Sequence, residues 1–210
     1  MLNILRKSLL SFGVYERNQL RDIHFNKFFI SGLILRLIFV VIVNPDIHIN
    51  LFIPFVKNFI NDFSFDPWTD FLENGGDPKS FPYGFTMLFG YFPLTAIGNQ
   101  LGSFFNNNYF YEYGFKLSSF LYDYFSLILL SFLTRNKANT LLIISYWLSP
   151  IVIYTTYIHG QIDILPVMLL ISSLWLISLN SFKIAGFILA ISISSKLSML
   201  IALPFIIVYI

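Results

Sequence analysis

The sequence predicts an all-α polytopic membrane protein with about five or six transmembrane helices. Of its 210 residues, 56% are hydrophobic and only 11% are charged, whereas soluble domains carry about 25% charged residues. Several apolar runs approach the length of about 20 helical residues that crosses the hydrocarbon of a bilayer. A soluble globular class is therefore excluded, and the absence of cysteine excludes a disulfide framework and thiol chemistry.

Residues 1–27 form a basic N-terminal segment that carries Arg6, Lys7, Arg17, Arg21 and Lys27. Positive charges before a first span favour the cytoplasmic side. The segment lacks the short apolar core and small-residue cleavage site of a secretory signal peptide. We therefore expect a cytoplasmic N-terminus, with residues 1–27 lying on the membrane surface or in solution.

Residues 28–210 are expected to form one transmembrane module. Its predicted spans are Phe28–Val43, Phe115–Leu133, Thr140–Tyr157, Ile164–Leu179 and the run from Ile184 onward. The long connection between the first two spans, at about 44–114, holds seven acidic residues against two lysines. That balance is the opposite of a cytoplasmic loop, so this connection is predicted to be external and to contain short interfacial helices, including an amphipathic one at Leu51–Phe63.

Tyr83–Gly102 is apolar enough to be a sixth span. If it crossed the membrane, the basic Arg135–Lys137 loop would lie outside, against the positive-inside tendency. Pro82, Pro93 and the segment's glycines also suit irregular structure buried against protein. We therefore expect a non-spanning segment. The last residues stop within an apolar run, which predicts a truncated or split protein.

Arg36, Asp123 and Lys196 are ionisable residues that fall inside predicted spans. An intramembrane charge normally faces protein, water or a lipid phosphate. Arg36 lies halfway along the first span, where pairing with a carboxylate such as Asp123 and a functional role are equally good interpretations. Asp123 and Lys196 are likewise either functional or a structural pair. Lys196 lies twelve residues into its run, about 18 Å along a helix, and so near the external side.

A polar turn, Tyr157-Ile-His159-Gly160-Gln161-Ile-Asp163, separates two runs without any charged side chain. His159, Gln161 and Asp163 could bind a sugar or phosphate, or ligate a cation together with Asp46. Asp and His suit several metals, so a divalent cation such as Mg²⁺ or Mn²⁺ is one alternative and no cofactor is certain. The other interpretation of the turn is a hydrogen-bonded connection between two helices.

The external loop supplies a candidate base and candidate sugar-stacking rings. Asp46 is the first acid after the first span, where partial desolvation could bring a carboxylate into the range of a general base. The alternative is a polar marker of the membrane edge. Trp68 and Tyr83 offer faces to a sugar ring, although aromatic rings also anchor proteins at interfaces.

Together these residues resemble the GT-C superfamily of integral-membrane glycosyltransferases, above all the mannosyltransferases that use a polyprenyl or dolichyl phosphate sugar. Four features carry the resemblance: the early loop acid Asp46, the element Pro82-Tyr83-Gly84, the pattern Lys116…Asp123, and Trp147–Pro166 followed by the run that contains Lys196. Most members of that family are longer, and many carry a second acid where this chain has His48.

The resemblance implies transfer of a mannose-like hexose, with inversion, from a polyprenyl-phosphate donor to a lipid-linked or cell-surface glycan. It implies Asp46 as general base, His159, Gln161 and Asp163 along the site, and Lys196 opposite the lipid phosphate. The expected location is a bacterial plasma membrane or an endoplasmic reticulum membrane, together with a missing C-terminal half or a partner subunit. The rival function is a non-catalytic membrane protein, either a transporter fragment or a subunit of a glycan-assembly machine. Scattered basic residues give nucleic-acid binding no support.

Overall fold

The computed structural model describes residues 19–107, 109–134 and 139–209, and all regular structure within these ranges is helical. The helices are α1 (Lys27–Ile42), α2 (Ile53–Asn61), α3 (Pro67–Glu73), α4 (Phe85–Phe105), α5 (Tyr109–Thr134), α6 (Asn139–Leu142), α7 (Pro150–Ile153), α8 (Ile164–Ser178), α9 (Phe182–Ser195) and α10 (Leu203–Tyr209). The all-α prediction is thus confirmed for the described part of the chain. The basic loop Arg135–Lys137 and most of the N-terminal segment fall outside it.

Three wide helical turns interrupt this pattern, at His48–Phe52, Ile143–Trp147 and Tyr154–Ile158. Each is closed by a backbone hydrogen bond that spans five residues instead of four, such as the one from the His159 N–H to the Tyr154 carbonyl. Turns of this kind are rare and occur frequently at functional sites. Two of the three lie next to the candidate site described below.

Among the described residues, one helix, α5, is long and apolar enough to cross a membrane. A second candidate arises only if the pair Thr140–Trp147 and Pro150–Ile158, bent by 41°, is taken as one span. The predicted span Thr140–Tyr157 is therefore broken in its middle, because Pro150 begins a new helix after Ser149 adopts an extended conformation.

The helices run back and forth between two ends of the bundle. Near one end Asn26 hydrogen-bonds Thr140, and near the other Pro45 approaches Gly160, so α1 and the bent pair run in the same direction. Helix α9 returns along α8, where Ser173 donates to the Ala185 carbonyl at 2.9 Å and Ser192 to the Pro166 carbonyl at 2.7 Å.

Two predictions about apolar segments are corrected. The segment Tyr83–Gly102, expected to be irregular, is from Phe85 onward one continuous helix, α4, with Pro93 inside it; that it does not span the membrane stays a prediction. Close packing on α5 accounts for this helix, since the α-carbons of Gly98 and Gly114 lie against the backbone of the opposite helix. The run from Ile184 onward is not one helix either. Lys196 adopts an extended conformation (φ −153°, ψ 117°), and the chain turns back as a 3₁₀ segment, Leu197–Ala202, followed by α10.

The connection between α1 and α5 has an aromatic core of its own. Phe55 stacks on Phe81 with ring centroids 4.9 Å apart, and Phe52 and Phe59 extend this core toward α4 and α5. The predicted amphipathic helix at Leu51–Phe63 is shorter than expected, because the wide turn His48–Phe52 precedes α2. This packed layer holds the loop residues of the candidate site in place.

Candidate functional site

The candidate site lies where three connections meet: the stretch after α1, the stretch before α4, and the turn before α8. At its centre the Lys196 ammonium forms an ion pair with Oδ2 of Asp163, and both side chains are about one-third exposed. The other oxygen of Asp163 is buried without a hydrogen-bond partner among the described residues. Asp163 also precedes the first residue of α8, where the helix dipole favours a negative charge.

Tyr83 is the aromatic residue that reaches this ion pair. Its ring packs against Phe52 and Phe81 at centroid distances of 5.8 Å and 5.6 Å. Burial, followed by the nearby Asp163 carboxylate, raises the pKa of the Tyr83 hydroxyl. The hydroxyl therefore stays protonated and available as a hydrogen-bond donor at neutral pH.

Two hydroxyls that the sequence did not suggest lie beside Lys196. Thr86 and Ser194 share a hydrogen bond of 2.8 Å; Thr86 is half-buried and Ser194 is exposed. This contact joins the beginning of α4 to the end of α9, where Ser194 comes two residues before Lys196. Scattered single hydroxyls have no signal in the sequence, so only the fold brings this pair to the site.

The turn before α8 is anchored to the stretch after α1 through Gly160. Gly160 has a φ of +84°, and a Cβ atom placed there would lie 2.6 Å from the Pro45 Cβ and 3.0 Å from the His48 ring. Asp46, between those two residues, is exposed and forms no hydrogen bond or ion pair with the described residues, so the partial desolvation expected of its carboxylate is not found. The predicted base and the predicted binding turn are thus joined through their immediate neighbours.

The other predicted binding residues take different positions. His159 is exposed and stacks on Tyr154, with the ring planes 8° apart. Gln161 is half-buried, and its backbone N–H donates to the Thr155 carbonyl at 2.8 Å. Trp68 packs into the aromatic layer and donates its indole N–H to the Phe81 carbonyl at 3.3 Å, so it shapes the loop that carries Tyr83.

Arg36 and Asp123 form a separate, fully buried network. The Arg36 Nε donates to Asp123 Oδ2 at 2.7 Å, and neither side chain is exposed to solvent. Hydroxyls of Tyr146 and Tyr157 each donate to the same carboxylate at 2.8 Å. The guanidinium lies 3.6 Å from the ring centroid of Trp147.

The pairing of Arg36 with Asp123 was one of the two interpretations of the sequence, and the structure contains it. Lys196, in contrast, pairs with Asp163 and not with Asp123. The two tyrosines were not anticipated.

Lys116 is buried against the end of α1. Its ammonium donates to the Asn44 side chain at 2.9 Å and to the Val43 carbonyl at 3.2 Å, as expected of a cation at a helix C-terminus. His48 and Lys116 both line a small cavity of about 10 Å³, which has room for a single water molecule.

Among the described residues, no three His, Cys, Asp or Glu side chains gather closely enough to hold a metal ion. A divalent cation at Asp46 and the His159–Asp163 turn stays a prediction. Comparisons of the chain with protein-family models, with curated proteins and with solved structures found no match.

Proposed function

We propose that this chain is a module of a membrane glycosyltransferase that moves a hexose from a polyprenyl-phosphate donor to a glycan or glycolipid acceptor. The observation that supports the proposal best is the meeting of Asp163, Lys196 and Tyr83 beside the Pro45–Gly160 contact. These residues come from four separate parts of the sequence, and each part belongs to one of the features that resemble GT-C enzymes.

Lys196 is the proposed partner of the donor phosphate. Its ammonium is about one-third exposed and uses one of its N–H groups on Asp163, which leaves N–H groups free for a phosphate oxygen. Charge-assisted hydrogen bonds of this kind are about twice as strong as neutral ones. A fixed cation at this position would also stabilise the negative charge that develops on the leaving phosphate.

Asp46 is the proposed general base. Because its carboxylate is exposed and unpaired among the described residues, both oxygens are free to accept a proton from an acceptor hydroxyl. Deprotonation raises the nucleophilicity of that hydroxyl toward the anomeric carbon, and the phosphate leaves from the opposite face with inversion. Asp163, His159 and Gln161 then contact the sugar and the acceptor.

The proposed membrane arrangement is multi-pass, with the N-terminus cytoplasmic and the site on the external or lumenal side. The alternating direction of α1, α5, α8 and α9 supports it, since each connection at the Asp163 end is polar. A lipid-borne donor fits a site whose cation lies at the mouth of an apolar bundle. In the rival, non-catalytic function the ion pair between Asp163 and Lys196 only stabilises the fold, and Asp46 has no chemical role.

Sugar transfer in membranes that express the chain separates the two functions. A radiolabelled polyprenyl-phosphate sugar serves as donor, and wild type is compared with Asp46→Asn and with Asp62→Asn, a second exposed acid of the same connection. Since general bases contribute about 10²- to 10⁴-fold to rate, Asp46→Asn should lose at least about 100-fold while Asp62→Asn keeps wild-type transfer at equal expression.

Lys196→Gln should raise the KM for the donor. Equal transfer by wild type and Asp46→Asn would remove Asp46 from the mechanism. No transfer by wild type would contradict the enzyme proposal for this chain and favour the non-catalytic function.

A further inference from the structure

The turn before α8 and the stretch after α1 make a close contact at Gly160. The positive φ of this residue favours glycine, and a Cβ would meet Pro45 at 2.6 Å and two atoms of His48 at 3.0 Å and 3.1 Å. Real Cβ atoms essentially never approach a neighbour to less than 3.0 Å. Any other residue at this position would therefore push the turn before α8 away from the stretch after α1.

His48 fills the space on the other side of this contact. Its side chain is 1% exposed, and its ring lies edge-on to Phe115 at a centroid distance of 4.9 Å and tilted to Phe52 at 6.2 Å. Both ring nitrogens lack a hydrogen-bond partner among the described residues. The shape of the ring, more than its hydrogen bonding, is therefore what the structure uses here.

The residues on both sides of Asp46 are held in place. Asn44 is fixed by the hydrogen bond from Lys116, and His48 opens the first wide turn through the bond from the Ile53 N–H to its carbonyl. The third wide turn, Tyr154–Ile158, ends against Gly160, where the His159 N–H donates to the Tyr154 carbonyl at 2.7 Å. Both segments thus approach the contact in constrained backbone conformations, and the exposed Asp46 carboxylate lies between the two fixed points.

We propose that His48 and Gly160 are positioning residues whose contact holds the Asp46 segment at one fixed distance from the turn that carries Asp163. The purpose of this distance, which is to place a base opposite the donor phosphate, rests on the proposed function. The distance itself is independent of that function, so it can be measured in a chain without activity.

The sequence contains no cysteine, so two introduced cysteines can be spin-labelled without background. Asn50→Cys and Ile158→Cys place labels at exposed positions on the two segments. Electron–electron double resonance on the chain in lipid nanodiscs should give one narrow distance distribution. Gly160→Ala should shift it to longer distances and broaden it. Gly186→Ala is the matched control, because a Cβ at Gly186 meets nothing within 4 Å, and it should leave the distribution unchanged.

Two substitutions at His48 test whether its ring holds the two segments at a fixed distance. His48→Phe keeps a ring of similar shape and loses no hydrogen bond, so it should preserve the narrow distribution, whereas His48→Ala should broaden it. A reference pair, Leu101→Cys with Tyr109→Cys, reports whether α4 and α5 remain packed in each variant. If the reference distance changes in Gly160→Ala, the comparison of His48→Phe with His48→Ala still tests the contact.

A broad distribution in wild type, or equal distributions for Gly160→Ala and Gly186→Ala, would overturn the proposal. Sugar transfer separates it from the function proposed above. Gly160→Ala should lower kcat with little change in the KM for the donor, because Lys196 and Asp163 keep their ion pair. A narrow wild-type distance that Gly160→Ala widens, in a chain that transfers no sugar, would uphold the positioning contact and reject the glycosyltransferase.

Discussion

At the residue scale, three of the six buried side-chain nitrogen and oxygen atoms without a hydrogen-bond partner in the described part of the chain lie at the candidate site. In the described part of the chain they include both ring nitrogens of His48 and one carboxylate oxygen of Asp163. Such atoms are uncommon in folded proteins, and each costs about 1–3 kcal/mol when buried.

The burial of His48 predicts a pH-dependent stability. Burial lowers the pKa of the imidazole from 6.5 to about 4, so between these values the unfolded chain binds a proton that the folded chain does not. Stability from this residue is therefore complete above pH 6.5 and falls as the pH drops toward 4, by up to about 1.4 kcal/mol per pH unit. Thermal melts at pH 7 and pH 5 should show a larger loss for wild type than for His48→Phe. Equal losses would contradict the prediction.

The buried network around Arg36 predicts strong coupling between two substitutions. Arg36→Gln leaves the Asp123 carboxylate buried without its cation, which should cost about 3–5 kcal/mol. The double variant Arg36→Gln/Asp123→Asn should lose much less than the sum of the two single variants, because no charge is then left unpaired. A double-mutant cycle measured by chemical unfolding tests this, with exposed Lys79→Gln as control. Additive losses would show that the pair is not coupled.

The sequence showed which residues require a partner more clearly than it showed which residues those partners are. A charge in the middle of an apolar run must be neutralised, so Arg36 could be matched to Asp123 from sequence alone. Tyr146 and Tyr157 could not be matched to the same carboxylate, because they lie on either side of a bend that hydropathy does not detect. Asp163 and Lys196 were both selected as site residues, but nothing in their spacing predicts that they pair with each other.

Helix pairs in this chain approach closely through glycine. Gly98 of α4 lies against the backbone of Phe110, and Gly114 of α5 lies against the backbone of Leu94. Small residues at such positions let two helices pack backbone to backbone, as is common in membranes. The continuous helix α4 thus derives its order from α5 in spite of Pro93.

This packing predicts that Gly98→Ala destabilises the protein by about 1–3 kcal/mol, the usual cost of overpacking. Gly186→Ala makes the same chemical change in a helix where the added methyl meets nothing, and it should be neutral or slightly stabilising. Melting temperatures of the two variants in the same detergent test the difference. Equal melting temperatures would show that α4 and α5 can separate at little cost.

At the element scale, most helices were predictable and their interruptions were not. The first predicted span, Phe28–Val43, corresponds to a helix that begins and ends one residue earlier, at Lys27–Ile42; that this helix crosses a membrane stays a prediction. Hydropathy averages over a window, so it merged α9, the break at Lys196 and α10 into a single run. Pro150 was a local signal for the bend within the predicted span Thr140–Tyr157, but its apolar neighbours kept the hydropathy of that run high.

At the scale of the whole molecule, three polar connections of the described residues lie together at one end of the bundle. The connections after α1, before α4 and before α8 meet there, while the turn between α8 and α9 lies at the other end, beside the last residues of α5. In a bilayer this arrangement predicts that His159 and Asn180 lie on opposite sides of the membrane and that Asp62 lies on the side of His159.

Single cysteines at these three positions test the arrangement, since the chain has no others. A membrane-impermeant thiol reagent applied to sealed vesicles of one orientation should label His159→Cys and Asp62→Cys but not Asn180→Cys, with detergent-opened vesicles as the control for reactivity. Labelling of all three in sealed vesicles would contradict the multi-pass arrangement.

The pairing of Arg36 with Asp123 also has a consequence for biosynthesis. The two residues are 87 positions apart, so the ribosome completes α1 long before it makes the carboxylate that neutralises the arginine. An arginine at the centre of a lone helix costs about 2.5–3.5 kcal/mol to insert. In the proposed multi-pass arrangement we therefore expect the first helix to stay beside the insertion machinery until α5 emerges, so that the two helices enter the lipid together.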